Sequence, residues 1–128
     1  MPFHHFAIQV SDVKRSREFY DPVLSAIGYV VCFASDSIAY YAPASNAKLL
    51  EFSLMLTNPS KPAGSTHVAF GASSQVEAAK AYGVAIESGG KDNGQPGIRE
   101  KINKGYYAAF VLEPDGNNIE FVHFPRGL

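Results

Sequence analysis

The chain has one cysteine and no tryptophan. A lone thiol cannot close an internal disulfide, so nothing covalent staples the fold, and a reducing compartment, the cytoplasm, is the expected location. Cys32 lies in the apolar run from Tyr29 to Ala34 and reads as a small buried hydrophobe rather than a nucleophile. An excess of one charge is also missing. Lys and Arg number 11 against 12 Asp and Glu, for a net charge of −1. With no basic stripe either, a nucleic-acid partner is excluded. No apolar run approaches the roughly 20 residues that a membrane helix needs. The amino terminus shows no basic-then-apolar leader, since Met1-Pro2 leads almost directly into a strand-like run. These absences leave a single-domain chain of 128 residues, 46% hydrophobic and 18% charged, able to bury a core unaided.

What the chain does have is a pattern written twice. His5-Phe6-Ala7-Ile8-Gln9-Val10-Ser11 is echoed 62 residues on by His67-Val68-Ala69-Phe70-Gly71-Ala72-Ser73, and the same offset carries Tyr20 onto Tyr82 and Gly28 onto Gly90. A second echo relates Leu50-Glu51-Phe52 to Ile119-Glu120-Phe121. Modules that each supply one imidazole and one carboxylate can bring four metal-type ligands to a shared centre.

The first copy reads as strand, helix and three strands. His5 to Val10 alternates as a half-buried strand, and Ser11 or Asp12 can cap the helix that follows. Pro22 is expected to end that helix near Tyr20 and leave a looser turn before Gly28. Tyr29 to Phe33, Ser37 to Ala42 and Leu49 to Leu56 read as strands. Residues 58–65 form a Pro/Gly/Ser-rich linker between a first module (about 3–57) and a second (about 66–125). In the second, His67 to Ala72 alternates again and Ser74-Gln75-Val76-Glu77 is a capping box. That helix ends at Gly89-Gly90, and Gly90 to Gly105 reads as a long polar loop with room for one short strand. Tyr106 to Glu113 and Asn118 to Phe124 close as a hairpin around Pro114-Asp115-Gly116-Asn117. The expected fold is α+β, two paired βαβββ modules that form a curved, cup-shaped mixed sheet with the helices outside.

Alternation also sorts the faces. His5, Ala7 and Gln9 share one side of their strand, and His67, Ala69 and Gly71 share the matching side. Glu51 lies opposite Leu50 and Phe52, and Glu120 opposite Ile119 and Phe121. Four strands thus send His5, His67, Glu51 and Glu120 to the face away from the core, among small neighbours that leave room for a ligand. His4 and His123 have the wrong parity and read as edge or surface residues. For Arg99, Lys101 and Lys104 a solvated loop competes with an anion clamp.

With these residues in view, the sequence resembles the vicinal oxygen chelate superfamily of glyoxalase I, bleomycin-resistance proteins and extradiol dioxygenases. The resemblance is carried by His5-x-Ala-Ile-x-Val-x-Asp12 with Phe19-Tyr20, by Thr66-His67-Val68-Ala69-Phe70, and by Tyr106-Tyr107-Ala108-Ala109-Phe110-Val111 with Glu113-Pro114-Asp115-Gly116-Asn117-Asn118-Ile119-Glu120. The stretch from Gly89 to Arg99 is similar to that of a small glyoxalase-like subgroup. The resemblance implies a cup that holds a divalent metal (Zn, Ni, Co, Mn or Fe) on positions matching His5, His67 and Glu120, with Glu51 as a further carboxylate. It also implies a homodimer, since the superfamily often pairs modules across two chains.

Three functions stay open on these grounds. The first is a metal-dependent lyase or isomerase of the lactoylglutathione lyase type, acting on a small oxygen-chelating substrate. In it Glu51 and Glu120 are catalytic, and Tyr107, Arg99 and Tyr41 contact the substrate. The second is a metal-free protein that binds a drug or metabolite, as bleomycin-resistance proteins do, through aromatic residues such as Tyr40, Tyr41 and Tyr107. The third is an Fe(II) dioxygenase built on two histidines and one carboxylate.

Overall fold

The computed structural model describes residues 4–58, 63, 64 and 66–124. The linker expected over 58–65 and the outer module bounds at 3 and 125 therefore lie partly outside the described residues. The order of elements is β1 (Phe6–Val10), α1 (Val13–Ser25), β2 (Tyr29–Ala34), β3 (Ile38–Pro43) and β4 (Phe52–Leu56), then β5 (His67–Gly71), α2 (Gln75–Glu87), β6 (Lys91–Ile98), β7 (Tyr107–Leu112) and β8 (Asn118–His123). Two four-stranded sheets result, ordered β1-β4-β3-β2 and β5-β8-β7-β6. In each the first strand runs parallel to the last and the remaining pairs are antiparallel. The chain is α+β, built as two βαβββ halves.

Local signals account for most boundaries. Asp12 caps α1 by accepting from the Arg15 amide at 3.0 Å, which satisfies one of the orphan donors of a first turn. Ser74 caps α2 through the Glu77 amide at 3.0 Å. The Glu77 carboxylate reaches back one residue further than a standard box, to the amide and hydroxyl of Ser73. Gly89, at φ +102°, reverses the chain after α2 in a conformation that a side chain would strain.

Two expectations about elements are overturned. Helix α1 runs through Pro22 to Ser25. Pro22 is on the exposed side, so the carbonyl it leaves unpaired meets water, while the buried Val23 and Leu24 anchor the final turn. The polar stretch after Gly90, expected as a long loop with room for one short strand, is for its first half the eight-residue strand β6. As an edge strand β6 pairs on one side only, so it tolerates Pro96 and breaks in register between Asp92 and Gly94 and between Gly94 and Gly97. Those bulges erase the two-residue period by which a strand is recognised. Cys32 is a third correction. Strand β2 is the edge of the first sheet, and the thiol is exposed, 3.7 Å from the carbonyls of Val30 and Ala47.

One core serves both halves. Ile8, Val10 and Leu54 from the first sheet join Phe70, Val111, Ile119 and Phe121 from the second. Helices α1 and α2 pack on one another within it, and the fully buried Ala78, Ala81 and Ala85 let α2 approach closely. Each large apolar side chain buried here stabilises the fold by roughly 1.5–3 kcal/mol. The halves are also clamped by polar bonds. The buried Tyr20 hydroxyl donates to Glu113 at 2.9 Å, and Ser11 and Arg15 both donate to Asp115. Burial, and then the adjacent Glu113 carboxylate, hold the Tyr20 phenol well above its ordinary pKa.

The sheets do not join at β1 and β5, which remain unpaired edges. Phe70 of β5 instead packs edge-on against Phe52 of β4, with ring centroids 5.2 Å apart, and near Tyr29 of β2 at 6.1 Å. The second module therefore leans on the helix-facing side of the first sheet.

Candidate functional site

Strand parity delivers the residues of the second module as expected. His67, Ala69 and Gly71 are exposed on β5 while Phe70 is buried. Glu120 on β8 alternates with the core residues Ile119 and Phe121, and its partners across the sheet are Ala69 and Phe110. Because Ala69 carries only a methyl, the imidazole of His67 can lean across it. His67 Nε2 lies 2.9 Å from Glu120 Oε1. The hydroxyl of Tyr106, just before β7, donates to Oε2 at 2.5 Å. Glu120 is only 3% exposed, and a carboxylate removed from water needs its oxygens bonded in this way. The Phe110 ring lies beside the pair, its centroid 6.2 Å from that of His67.

The first module is arranged differently. Phe6 pairs with Phe52, and the Phe6 amide donates to the Glu51 carbonyl at 2.8 Å, so His5 and Glu51 precede that pair side by side. Their side chains part. The exposed His5 has Nδ1 2.9 Å from Nδ1 of His4, and Glu51 accepts from the Tyr29 hydroxyl at 2.8 Å. Burial, and then the bond and charge of Glu51, push the Tyr29 phenol up to about 12. The registers differ as well. Glu120 pairs with Ala69, two residues beyond His67, whereas Glu51 stands level with His5. A slip of two residues preserves the face but moves the carboxylate roughly 6–7 Å along the strand.

Glu51 and His67 both line a cavity of about 320 Å³ at the junction of the modules, walled by Phe6, Tyr29, Phe52 and Phe70. A second hollow of about 470 Å³ runs along the open face past Ala69, Gly71 and Tyr106. Tyr41 and Tyr107, expected as substrate contacts, both face the helices. Tyr41 is fully buried and donates to Asp21 at 2.7 Å, and burial with Asp21 raises its pKa. Tyr107 packs against the core. Tyr40 is instead on the open side, opposite Ser53. Arg99 is over the Phe110 ring. His123 is half-buried, with Nδ1 3.0 Å from the Ala72 carbonyl, and His4 is exposed. The Tyr106–Glu120 bond has a signal in the sequence, since Tyr106 shares parity with Ala108 and Phe110. The Tyr29–Glu51 bond has none, because it joins a helix-facing residue of a far strand.

An imidazole and a carboxylate 2.9 Å apart are the donor types that first-row divalent ions take. Two donors do not complete a shell. Among the described residues no group of three or more His, Cys, Asp or Glu side chains is placed to hold an ion. His67 and Glu120 are thus two donors of the types a divalent ion takes, while the side chains of His5 and Glu51 bond elsewhere, to His4 and to Tyr29.

Residues 3–121 match the family model of the glyoxalase/bleomycin resistance protein/dioxygenase superfamily. The chain belongs to this superfamily. Its fold is similar to the crystal structure of a glyoxalase/bleomycin resistance protein from Albidiferax ferrireducens T118, with 26% identity, TM-score 0.81, and coverage of 98% of this chain and 100% of that one. A putative glyoxalase from Bacillus halodurans shares the fold at 21% identity and TM-score 0.71, with 95% of each chain covered. A glyoxalase I mutant from Zea mays matches at 25% identity and TM-score 0.66, over 95% of this chain and 46% of that one. No curated protein matches. No helix among the described residues of this superfamily member is long and apolar enough to cross a membrane.

Proposed function

We propose that the protein is a metal-dependent lyase or isomerase of the glyoxalase type, acting on a small oxygen-chelating substrate, and that its cup forms between two chains. The observation that carries this reading is the buried Glu120 carboxylate turned onto His67 on an open face floored by Ala69 and Gly71. His67 and Glu120 of one chain, with His5 and Glu51 of a second copy, would hold a divalent ion. That ion supplies Lewis-acid polarisation of neighbouring substrate oxygens.

The chain's own residues supply the rest. Tyr106 holds Glu120 in its orientation. Glu51 is the base. It accepts the proton as the C–H bond next to a carbonyl breaks and the electron pair shifts toward the carbonyl oxygen, and it returns that proton to the neighbouring carbon. The Tyr29 hydroxyl, its pKa raised to about 12, donates to the Glu51 carboxylate and orients it before it takes the proton and after it gives the proton back.

Elemental analysis of the purified protein tests the reading. Near-stoichiometric divalent metal is expected in the unmutated protein, with loss in His67→Ala and Glu120→Ala. Equal, negligible metal in all three would overturn it. A second reading, metal-free binding of a drug or metabolite, draws on the aromatic walls of the 320 Å³ cavity and on the absence of a three-ligand group among the described residues. Ligand-induced thermal shifts that a chelator does not alter would favour it.

A further inference from the structure

Arg99, on the open face of the second sheet, is held in a built seat. Its amide donates to the Tyr106 carbonyl at 2.7 Å, which ties the end of β6 to the start of β7. Its Nη2 donates to the Gln95 carbonyl at 2.5 Å, and its guanidinium carbon lies 5.6 Å from the centre of the Phe110 ring. Gly94 and Gly97 clear the space for this arrangement. A Cβ at Gly94 would come within 2.9 Å of the Phe110 ring and 3.3 Å of Nη2, and one at Gly97 would come within 3.2 Å of Nη1. The irregular glycine-containing edge strand thus lays a guanidinium over an aromatic face, an arrangement with its own cation–π attraction.

The seat satisfies little of the guanidinium's donor capacity. The other described arginines are paired, Arg15 with Asp115 and Arg17 with Asp21. Among the described residues no carboxylate lies within ion-pair distance of Arg99. A carbonyl and a ring hold the group without neutralising it, so its charge and remaining N–H donors stay available to a ligand. Because the fork is already immobilised, an incoming oxyanion costs it little further entropy. Phe110 places the seat beside the candidate site, since its ring also neighbours His67 and its backbone pairs with Glu120.

We infer that Arg99 is the anion-recognition group of this site and that the substrate carries a carboxylate or phosphate in addition to its chelating oxygens. The inference rests on the placement of the site at His67 and Glu120. A planar guanidinium suits either oxyanion by paired N–H···O bonds, whereas a lysine in its place would act as a point charge.

The test uses matched probes against the full chain by calorimetric titration: pyruvate with its neutral analogue pyruvamide, and dihydroxyacetone phosphate with dihydroxyacetone. For the unmutated protein the charged member of at least one pair is expected to bind tenfold or more tightly than its neutral partner, and the pair that responds tells carboxylate from phosphate. Arg99→Gln is expected to bring that ratio near one, and Arg99→Lys to keep part of it. Circular dichroism checks that both variants fold. Charged and neutral probes binding alike, no binding of either charged probe, or an unchanged preference in Arg99→Gln would overturn the inference. Metal content of the same samples separates the two failures. Loss of metal in the unmutated protein sinks the lyase reading, while the anion preference is still read from the titration.

Discussion

A mixing experiment decides whether the two half-sites meet across chains. The double variant His67→Ala/Glu120→Ala destroys the second-module half, and His5→Ala/Glu51→Ala destroys the first-module half. The residues of one half lie on the adjacent strands β5 and β8, and those of the other directly precede the adjacent strands β1 and β4. If the cup pairs the first module of one chain with the second module of its partner, each variant alone forms dimers with two broken sites. A hybrid dimer then contains one site in which both halves are intact and one in which both are lost. Random exchange at equal concentrations makes about half of the dimers hybrid, so about one quarter of the unmutated metal sites should return. The assay is elemental analysis after subunit exchange, with hybrid formation followed by differently tagged chains. Zero recovery in a sample shown to contain hybrids would refute the cross-chain cup, because a site built within one chain is broken in every chain of the mixture.

Three further outcomes follow from particular contacts. Tyr106→Phe removes the donor on Glu120 Oε2 while leaving His67 in place, and metal affinity by chelator competition should fall roughly tenfold or more, as for other outer contacts to a ligand; unchanged affinity would show that the phenol does not orient the carboxylate. Phe70→Ala opens a hole between Phe52 and Tyr29 at a residue 7% exposed, so urea unfolding should report a loss of about 3 kcal/mol or more, and a loss below about 1 kcal/mol would mean that the modules do not lean on this ring. The phenols of Tyr20, Tyr29 and Tyr41 all titrate higher in the folded chain than their ordinary value near 10. The folded state thus keeps protons that the unfolded chain releases, and their contribution is complete below about pH 10 and lost as pH rises, through about 12 for Tyr29. The urea midpoint should fall steadily above pH 10, less so in Tyr29→Phe, and a flat midpoint would contradict the assigned hydroxyl bonds.

The fold was largely legible because its signals are local. Alternation in β1, β5 and β8, the caps at Asp12 and Ser74 and the turn at Pro114-Asp115-Gly116 each depend on a few neighbouring residues. Strand β6 was hidden because an edge with bulges obeys no two-residue period. The passage of α1 through Pro22 was hidden because only the packing of Val23 and Leu24 holds the last turn. Parity put Glu120 opposite Ile119 and Phe121, but of the neighbouring tyrosine pairs it could not say which member turned inward. That depended on which side the helices covered.

The sequence by itself determined that there are two alike halves and that His67 and Glu120 alternate with the apolar residues of β5 and β8, since a period of two is a property of the backbone. Only the tertiary structure decided which of these groups meet. Meeting depends on register and on how sheets pack, and neither is written in alternation. A register two residues out brings His67 across Ala69 to Glu120, and in the first module the bonds to His4 and Tyr29 turn His5 and Glu51 apart.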